Sequence, residues 1–216
     1  FAKTISSLGD VYINDAFSCS HRSHASIDAI TKYLPSYFGL QIIEEIDALK
    51  KLTSDIKRPI TCIIGGSKIS TKINVIKNLV NNFDNMIIVG GMANTILEYM
   101  GVNIGNSICE KETKNLVKEI FEKSKKYNCK IITPIDVVVS KNIEGSAKNK
   151  KLNEVENDDM ILDIGPETIY SIKNIIEKSN TILWNGPAGY FENPNFENGT
   201  KNILEIISNK TIKDKI

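Results

Sequence analysis

From residue 60 onward, short apolar runs alternate with longer segments whose apolar residues recur every three or four positions. Ile60–Ile64 reads as a buried strand, and Ile69, Ile73, Ile76, Val80 and Phe83 then form a helical stripe. Met86–Val89 predicts a second strand, followed by Gly90-Gly91 and a helix through Asn94–Tyr99. Leu116, Val117, Ile120, Phe121 and Tyr127 mark another helix. Ile131–Ile135, interrupted by Pro134, and Val137–Val139 read as strands, and Met160–Ile164 is a short run before Gly165-Pro166. A helix is expected over Ile169–Ile176, a strand over Thr181–Trp184, and a closing helix from Phe196 to Ile207. Strand, turn and helix in repetition imply right-handed crossovers and a parallel sheet covered on both faces, an α/β fold. Ligands in such sheets bind beyond the carboxyl ends of the strands. Three glycine-bearing turns are expected there: Gly65-Gly66, Gly90-Gly91 and Gly186-Pro187.

The first part of the chain has a different pattern. Val11-Tyr12-Ile13 is strand-like and leads into a polar, basic segment from Ser18 to Ser26. Pro35 precedes an amphipathic helix carrying Phe38, Ile42, Ile46 and Leu49, and Lys57-Arg58-Pro59 separates that helix from the sheet. A single helix between two unlike regions predicts a domain connector. Residues 1–34 are therefore expected to end one domain, 35–57 to form the connecting helix and linker, and 58–216 to form a second domain. Lys148–Lys151 is expected as a solvated loop.

The chemistry concentrates at Gly65-Gly66-Ser67-Lys68-Ile69-Ser70-Thr71-Lys72. Two glycines let the backbone come close to a ligand, and a helix head there offers free N–H groups with a partial positive charge. Lys68 and Lys72, four residues apart, share one face if this segment is helical. Donors beside paired cations suit phosphate; a tight turn with two solvated lysines is the plainer alternative. The motif lacks the Gly-Lys-Ser/Thr ending of a Walker loop and the third glycine of the dinucleotide fingerprint.

Bulk properties narrow the classes. A net charge of +1 over 216 residues gives no overall field for nucleic acid or an anionic membrane. No apolar run has the length of a bilayer span, and the start has no signal-peptide pattern. Cys19, Cys62, Cys109 and Cys129 lie far apart without metal-ligand spacing. These features point to a cytosolic protein with no protein-held metal. A chain that opens on Phe1 and closes on Ile216 just after a helical segment reads as a piece of a longer polypeptide.

Five stretches, taken in order, resemble phosphoglycerate kinases. They are Asp10–Phe17 running on through His21-Arg22-Ser23-His24-Ala25-Ser26; Gly65–Lys72; Gly90-Gly91-Met92-Ala93; Asp163–Pro166; and Leu183–Glu192. Val89 stands where many members of that family carry a further glycine. The resemblance implies a Rossmann-like three-layer α/β/α nucleotide domain, preceded by the end of a similar phosphoglycerate-binding domain. It implies a monomeric glycolytic enzyme that closes like a hinge, a phosphotransferase with a carboxyl acceptor. The reaction moves a phosphoryl group between 1,3-bisphosphoglycerate and ADP, giving 3-phosphoglycerate and ATP.

By the same resemblance, Arg22 belongs to the basic patch that holds phosphoglycerate, with His21 and His24 lining or supporting it. Lys72, with Lys68 beside it, falls on the lysines that meet the nucleotide phosphates. Gly65, Gly66, Ser67, Gly90, Gly91, Gly165, Asn185, Gly186 and Pro187 shape the nucleotide cleft, and Glu192 falls on the carboxylate that meets the ribose. Asn14 and Asp15 serve structure. Magnesium is expected to travel with the nucleotide. Its protein contact and the early substrate-binding arginines fall outside this chain, so the piece alone is expected not to turn over substrate. A non-catalytic nucleotide-binding module is the alternative. A nucleic-acid module, suggested by His21–His24 and Lys125-Lys126, conflicts with the balanced charge.

Overall fold

The computed structural model describes residues 1–50 and 56–213. Part of the expected connector, residues 51–55, and the last three residues lie outside the described set. The chain divides into two compact units, Phe1–Ile56 and Lys57–Ile216.

The first unit holds helix α1 (Ala2–Ser6), strands β1 (Tyr12–Asn14) and β2 (Ser36–Phe38), and helix α2 (Leu40–Lys50). β1 and β2 pair in parallel, with Tyr12 opposite Ser36 and Asn14 opposite Phe38. Phe38 is therefore a strand residue, where a helical one was expected. Its backbone groups are committed to β1, and the Gly39 N–H continues the ladder to the Asn14 carbonyl at 2.8 Å. The helix starts only at Leu40, where Asp15 Oδ1 accepts the Ile42 N–H at 3.0 Å.

The second unit contains β3 (Ile60–Ile64), α3 (Ile73–Val80), β4 (Asn85–Ile88), α4 (Gly90–Tyr99), α5 (Lys114–Lys126) and β5 (Lys130–Ile132). It continues with β6 (Asp136–Ser140), β7 (Lys148–Lys151), β8 (Met160–Ile164), α6 (Pro166–Lys178), β9 (Thr181–Asn185) and α7 (Asn198–Lys213). The expected parallel sheet is present, with strand order β5-β4-β3-β9. Ile63 and Ile87 pack with Ile172 and Ile176 of α6 and Ile203 of α7. Successive strand residues point to opposite faces, and the alternate set, Cys62, Ile64, Met86 and Ile88, is buried as well. Both faces of the sheet are covered, which is why β3 and β4 read as unbroken apolar runs.

Not every strand joins this sheet. β6 and β8 pair antiparallel, with β7 on the other side of β6, in a separate sheet ordered β7-β6-β8. Connection length explains the departure. A parallel crossover needs a dozen or more residues, whereas only 133–135 join β5 to β6 and only 141–147 join β6 to β7. Lys148–Lys151, expected as a loop, is thus the edge strand β7, and its lysines suit an edge that must not recruit another chain. Val137, Val139 and Ile161 form a second small core with Leu97, Ile104 and Val155.

Candidate nucleotide site

The glycine turns after β4, β3 and β9 lie side by side, because those strands are neighbours in the sheet. The Gly65 N–H donates to the Asn185 carbonyl at 2.8 Å, and the Met92 N–H donates to the Gly66 carbonyl at 2.9 Å. A Cβ on Gly65 would overlap the Pro187 carbonyl oxygen, and one on Gly186 would overlap the Gly65 carbonyl. Gly66, Gly90 and Gly186 also have positive φ, at 134°, 67° and 89°. Space requires glycine at 65, the backbone angle requires it at 66, and both do at 186.

Lys72 joins two of these turns. Its Nζ donates to the Gly65 carbonyl at 2.9 Å and to Asn185 Oδ1 at 2.6 Å. An ammonium has three protons, so one remains for a ligand oxygen. Lys68 is exposed on the same turn.

The helix that was to present its head to a phosphate begins later than expected. Residues 70–72 form a 3₁₀ turn and the α-helix starts at Ile73, so Lys68 and Lys72 do not share a helical face. The start of the 3₁₀ turn is also engaged, since the Ser70 N–H donates to Glu110 Oε2 at 2.9 Å and the Ser70 hydroxyl donates to Oε1. The Ser70 N–H is thus committed to Glu110, while the Lys72 ammonium keeps one proton free.

Beside the turns opens a cavity of about 420 Å³ with mostly apolar walls. Gly66, Ser67, Gly90, Gly91, Pro187 and Glu192 line it, together with Ala93, Asn94, Ile108, Pro134, Ile143, Met160–Ile164 and Ala188–Tyr190. Gly65, Asn185 and Gly186 are not among its lining residues; they fix the turns that are. Gly165 follows the wall residue Ile164 without lining the cavity itself, and its missing Cβ makes room for the Asp136 carboxylate. That carboxylate accepts the N–H groups of Glu167 at 2.9 Å and Thr168 at 2.7 Å, capping α6. Ile108, on the loop after α4, and Met160–Leu162 gave no sequence signal beyond apolar character, because only the chain's path brings them here.

Asp163 stands in the cavity wall with its carboxyl turned inward, 2% exposed. It accepts the N–H groups of Gly199 at 2.7 Å and Ile164 at 2.8 Å. Burial pushes its pKa up to about 7, against the opposing pull of those two N–H donors.

In the first unit, a cavity of about 620 Å³ is lined by His21 and Arg22 with Tyr12, Asn14, Ser20, Ser23, Ile27, Asp28, Thr31 and residues 36–38. His24 is not among its lining residues; its carbonyl accepts the N–H groups of Ile27 and Asp28 and closes a turn. Asn14 Oδ1 accepts the Ala16 N–H at 3.0 Å, so Asn14 shapes the neighbouring turn as Asp15 shapes the start of α2.

Against this geometry, comparison with known proteins is decisive. The family model described as phosphoglycerate kinase matches residues 1–215. The chain belongs to the phosphoglycerate kinase family. It is 45% identical over its whole length to the phosphoglycerate kinase of Wolbachia pipientis wMel, of which it covers 54%. It is 44% identical over 202 residues, 93% of the chain, to that of Caulobacter vibrioides, of which it covers 51%. The solved phosphoglycerate kinase of Coxiella burnetii superposes with a TM-score of 0.86 at 33% identity, over 96% of this chain and 54% of that one. The one from Pyrococcus horikoshii OT3 gives 0.82 at 26% identity, over 96% and 53%. The chain spans about half the length of the curated relatives it matches.

The phosphoglycerate kinase family handles nucleotides as magnesium complexes, and the side chains around this cleft do not fit a metal ion held by protein. Of the two carboxylates that line the cavity, the Asp163 group is held by two N–H donors, and among the described residues the one group of three acidic side chains close enough to share an ion is Glu156, Asp158 and Asp159. Lys141 already sits on Glu156 at 2.8 Å and Lys150 on Asp159 at 2.7 Å, so that cluster is a charge network. No helix among the described residues is long and apolar enough to cross a membrane.

Proposed function

We propose that this chain is the nucleotide-binding part of a phosphoglycerate kinase, together with a corner of the acid-binding part. The parent polypeptide transfers a phosphoryl group reversibly between 1,3-bisphosphoglycerate and ADP. Residues 58–216 form the nucleotide domain, 35–57 the connecting helix and linker, and 1–34 the end of the phosphoglycerate domain. The observation that carries this reading is Lys72, spanning two backbone-tight turns at the carboxyl edge of a parallel sheet, beside a mostly apolar cavity whose lining includes Glu192. The apolar walls take a base, Glu192 takes the ribose hydroxyls, and the phosphates leave the cavity past Ser67 toward Lys72 and Lys68.

Phosphoryl transfer asks the protein for alignment and charge neutralisation more than covalent help. Lys72, already fixed by two acceptors, supplies a preorganised positive charge to the migrating group with little reorganisation. Lys68 adds a mobile one. Arg22, with its planar donor fork, and His21 receive the phosphate of the acid substrate. The enzyme works as a monomer in the cytoplasm, with magnesium delivered on ADP or ATP.

A second reading concerns this chain on its own. It is a nucleotide-binding module without turnover. Titration with ADP tests both readings. Lys72→Ala is expected to weaken ADP about tenfold or more, the loss of a charge-assisted bond, and to leave adenosine unchanged. Equal ADP affinity in the variant would remove Lys72 from the site. A coupled assay on the chain alone is expected to show no turnover, and family-like rates would overturn that expectation.

A further inference from the structure

The turn that carries Lys68 and Lys72 has no cap of its own. Neither Ile69, before the 3₁₀ turn, nor Lys72, before α3, makes a side-chain cap bond. Its hold comes from the loop after α4, where Glu110 receives both the N–H and the hydroxyl of Ser70. Glu110 is itself tied down. Its N–H donates to Thr95 Oγ1 at 3.0 Å, and its carbonyl accepts the Thr113 hydroxyl at 2.9 Å. The Thr95 hydroxyl in turn reaches the Gly91 carbonyl at 3.2 Å. A continuous chain of hydrogen bonds therefore runs from Gly91 in the cavity wall, through Thr95 and Glu110, to Ser70, two residues from Lys72.

We propose that Glu110 is a positioning residue: it locks the lysine-bearing turn to α4 and sets affinity for the phosphate tail without touching the nucleotide. The affinity part rests on the nucleotide reading of the site. The Ser70 hydroxyl, then the Ser70 and Ile69 N–H groups and the Lys68 charge, hold the Glu110 carboxyl below the ordinary carboxylate range. The lock therefore stays ionised throughout neutral pH. Without it, Ser67–Lys72 keeps the buried Ile69 side chain, local turn bonds and the two bonds of Lys72 Nζ to Gly65 and Asn185, but loses its one tie to the loop after α4 through Ser70.

Two measurements on the whole chain test this. The first is the rate of trypsin cleavage after Lys68 and Lys72, which follows the population in which the turn has opened. Glu110→Ala is expected to speed it about fivefold, the size of a lost helix cap, and Glu110→Gln to stay within about twofold of the parent. The glutamine oxygen still accepts the Ser70 N–H. Unchanged cleavage in the alanine variant overturns the lock. The second measurement is the ratio of ADP to adenosine affinity. Glu110→Ala is expected to weaken ADP about fivefold and leave adenosine unchanged, with Glu110→Gln close to the parent. An equal loss for both ligands means a disturbed cavity and overturns the positioning role. Tighter ADP in the alanine variant means that charge repulsion dominates, and it overturns the role too. A parent chain that binds neither ligand refutes the nucleotide reading and the affinity role with it, while the cleavage rates still decide the lock.

Discussion

At the scale of single residues, the glycines divide into two kinds that a sequence does not distinguish. Gly66 and Gly90 line the cavity and hold backbone angles that other residues avoid. Gly165, next to a motif of the same look, leaves its space to the Asp136 carboxylate, as Gly39 does for Asp15 and Gly199 for Asp163. Gly165 has an ordinary negative φ of −83°, so alanine would suffer there from contact alone. Gly165→Ala is expected to cost about 2 kcal/mol of stability by overpacking a satisfied carboxylate, seen as a lower thermal midpoint, while ADP affinity in the folded chain stays within about twofold. Loss of ADP binding without loss of stability would return Gly165 to the cleft. The lysine pair shows the same limit. Lys72 stood out as a candidate phosphate contact from its setting, yet its anchoring acceptor Asn185 Oδ1 comes from a position 113 residues away.

Elements follow the hydrophobic pattern closely, and they end where distant side chains decide. α2 is capped by Asp15, the 3₁₀ turn before α3 by Glu110, α6 by Asp136 and α7 by Asp163, each from another part of the chain. No local capping motif announces these starts, which explains why the α3 start was misplaced and why α6 was expected only from Ile169. Asp136→Ala removes the acceptor of two N–H groups and of the Thr168 hydroxyl at 2.6 Å. It is expected to destabilise the chain by about 2 kcal/mol or more and to speed amide exchange in the first turn of α6 ahead of the rest of that helix. Uniform exchange across α6 would deny the capping role. The β6–β7 hairpin was hidden for a different reason. Lys-Asn-Lys-Lys at residues 148–151 carries no apolar period, and its strand state comes only from pairing with the buried β6.

For the whole molecule, the buried Asp163 makes stability depend on pH. An unfolded aspartate titrates near about 4, and the folded one near about 7. The folded state thus holds the proton more tightly. Its advantage is full below about pH 4 and fades as pH rises through 7, by at most about 1.4 kcal/mol per pH unit. Asp163→Asn keeps a neutral acceptor, so the difference in thermal midpoint between pH 5 and pH 8 is expected to shrink in the variant. An unchanged difference would show that Asp163 titrates normally in the fold. The amino-acid sequence alone determined the α/β class, the parallel run of strands, the three glycine turns and the cationic chemistry beside them, because burial and backbone freedom are written in local residue types. It also carried the family motifs, in order. Only the tertiary structure decided that β6 and β8 leave the parallel sheet, that acidic side chains remote in sequence set the helix starts, and that the space beside Gly165 is filled by the Asp136 carboxylate. Those outcomes depend on which groups meet across tens of residues, and no periodicity or spacing records that.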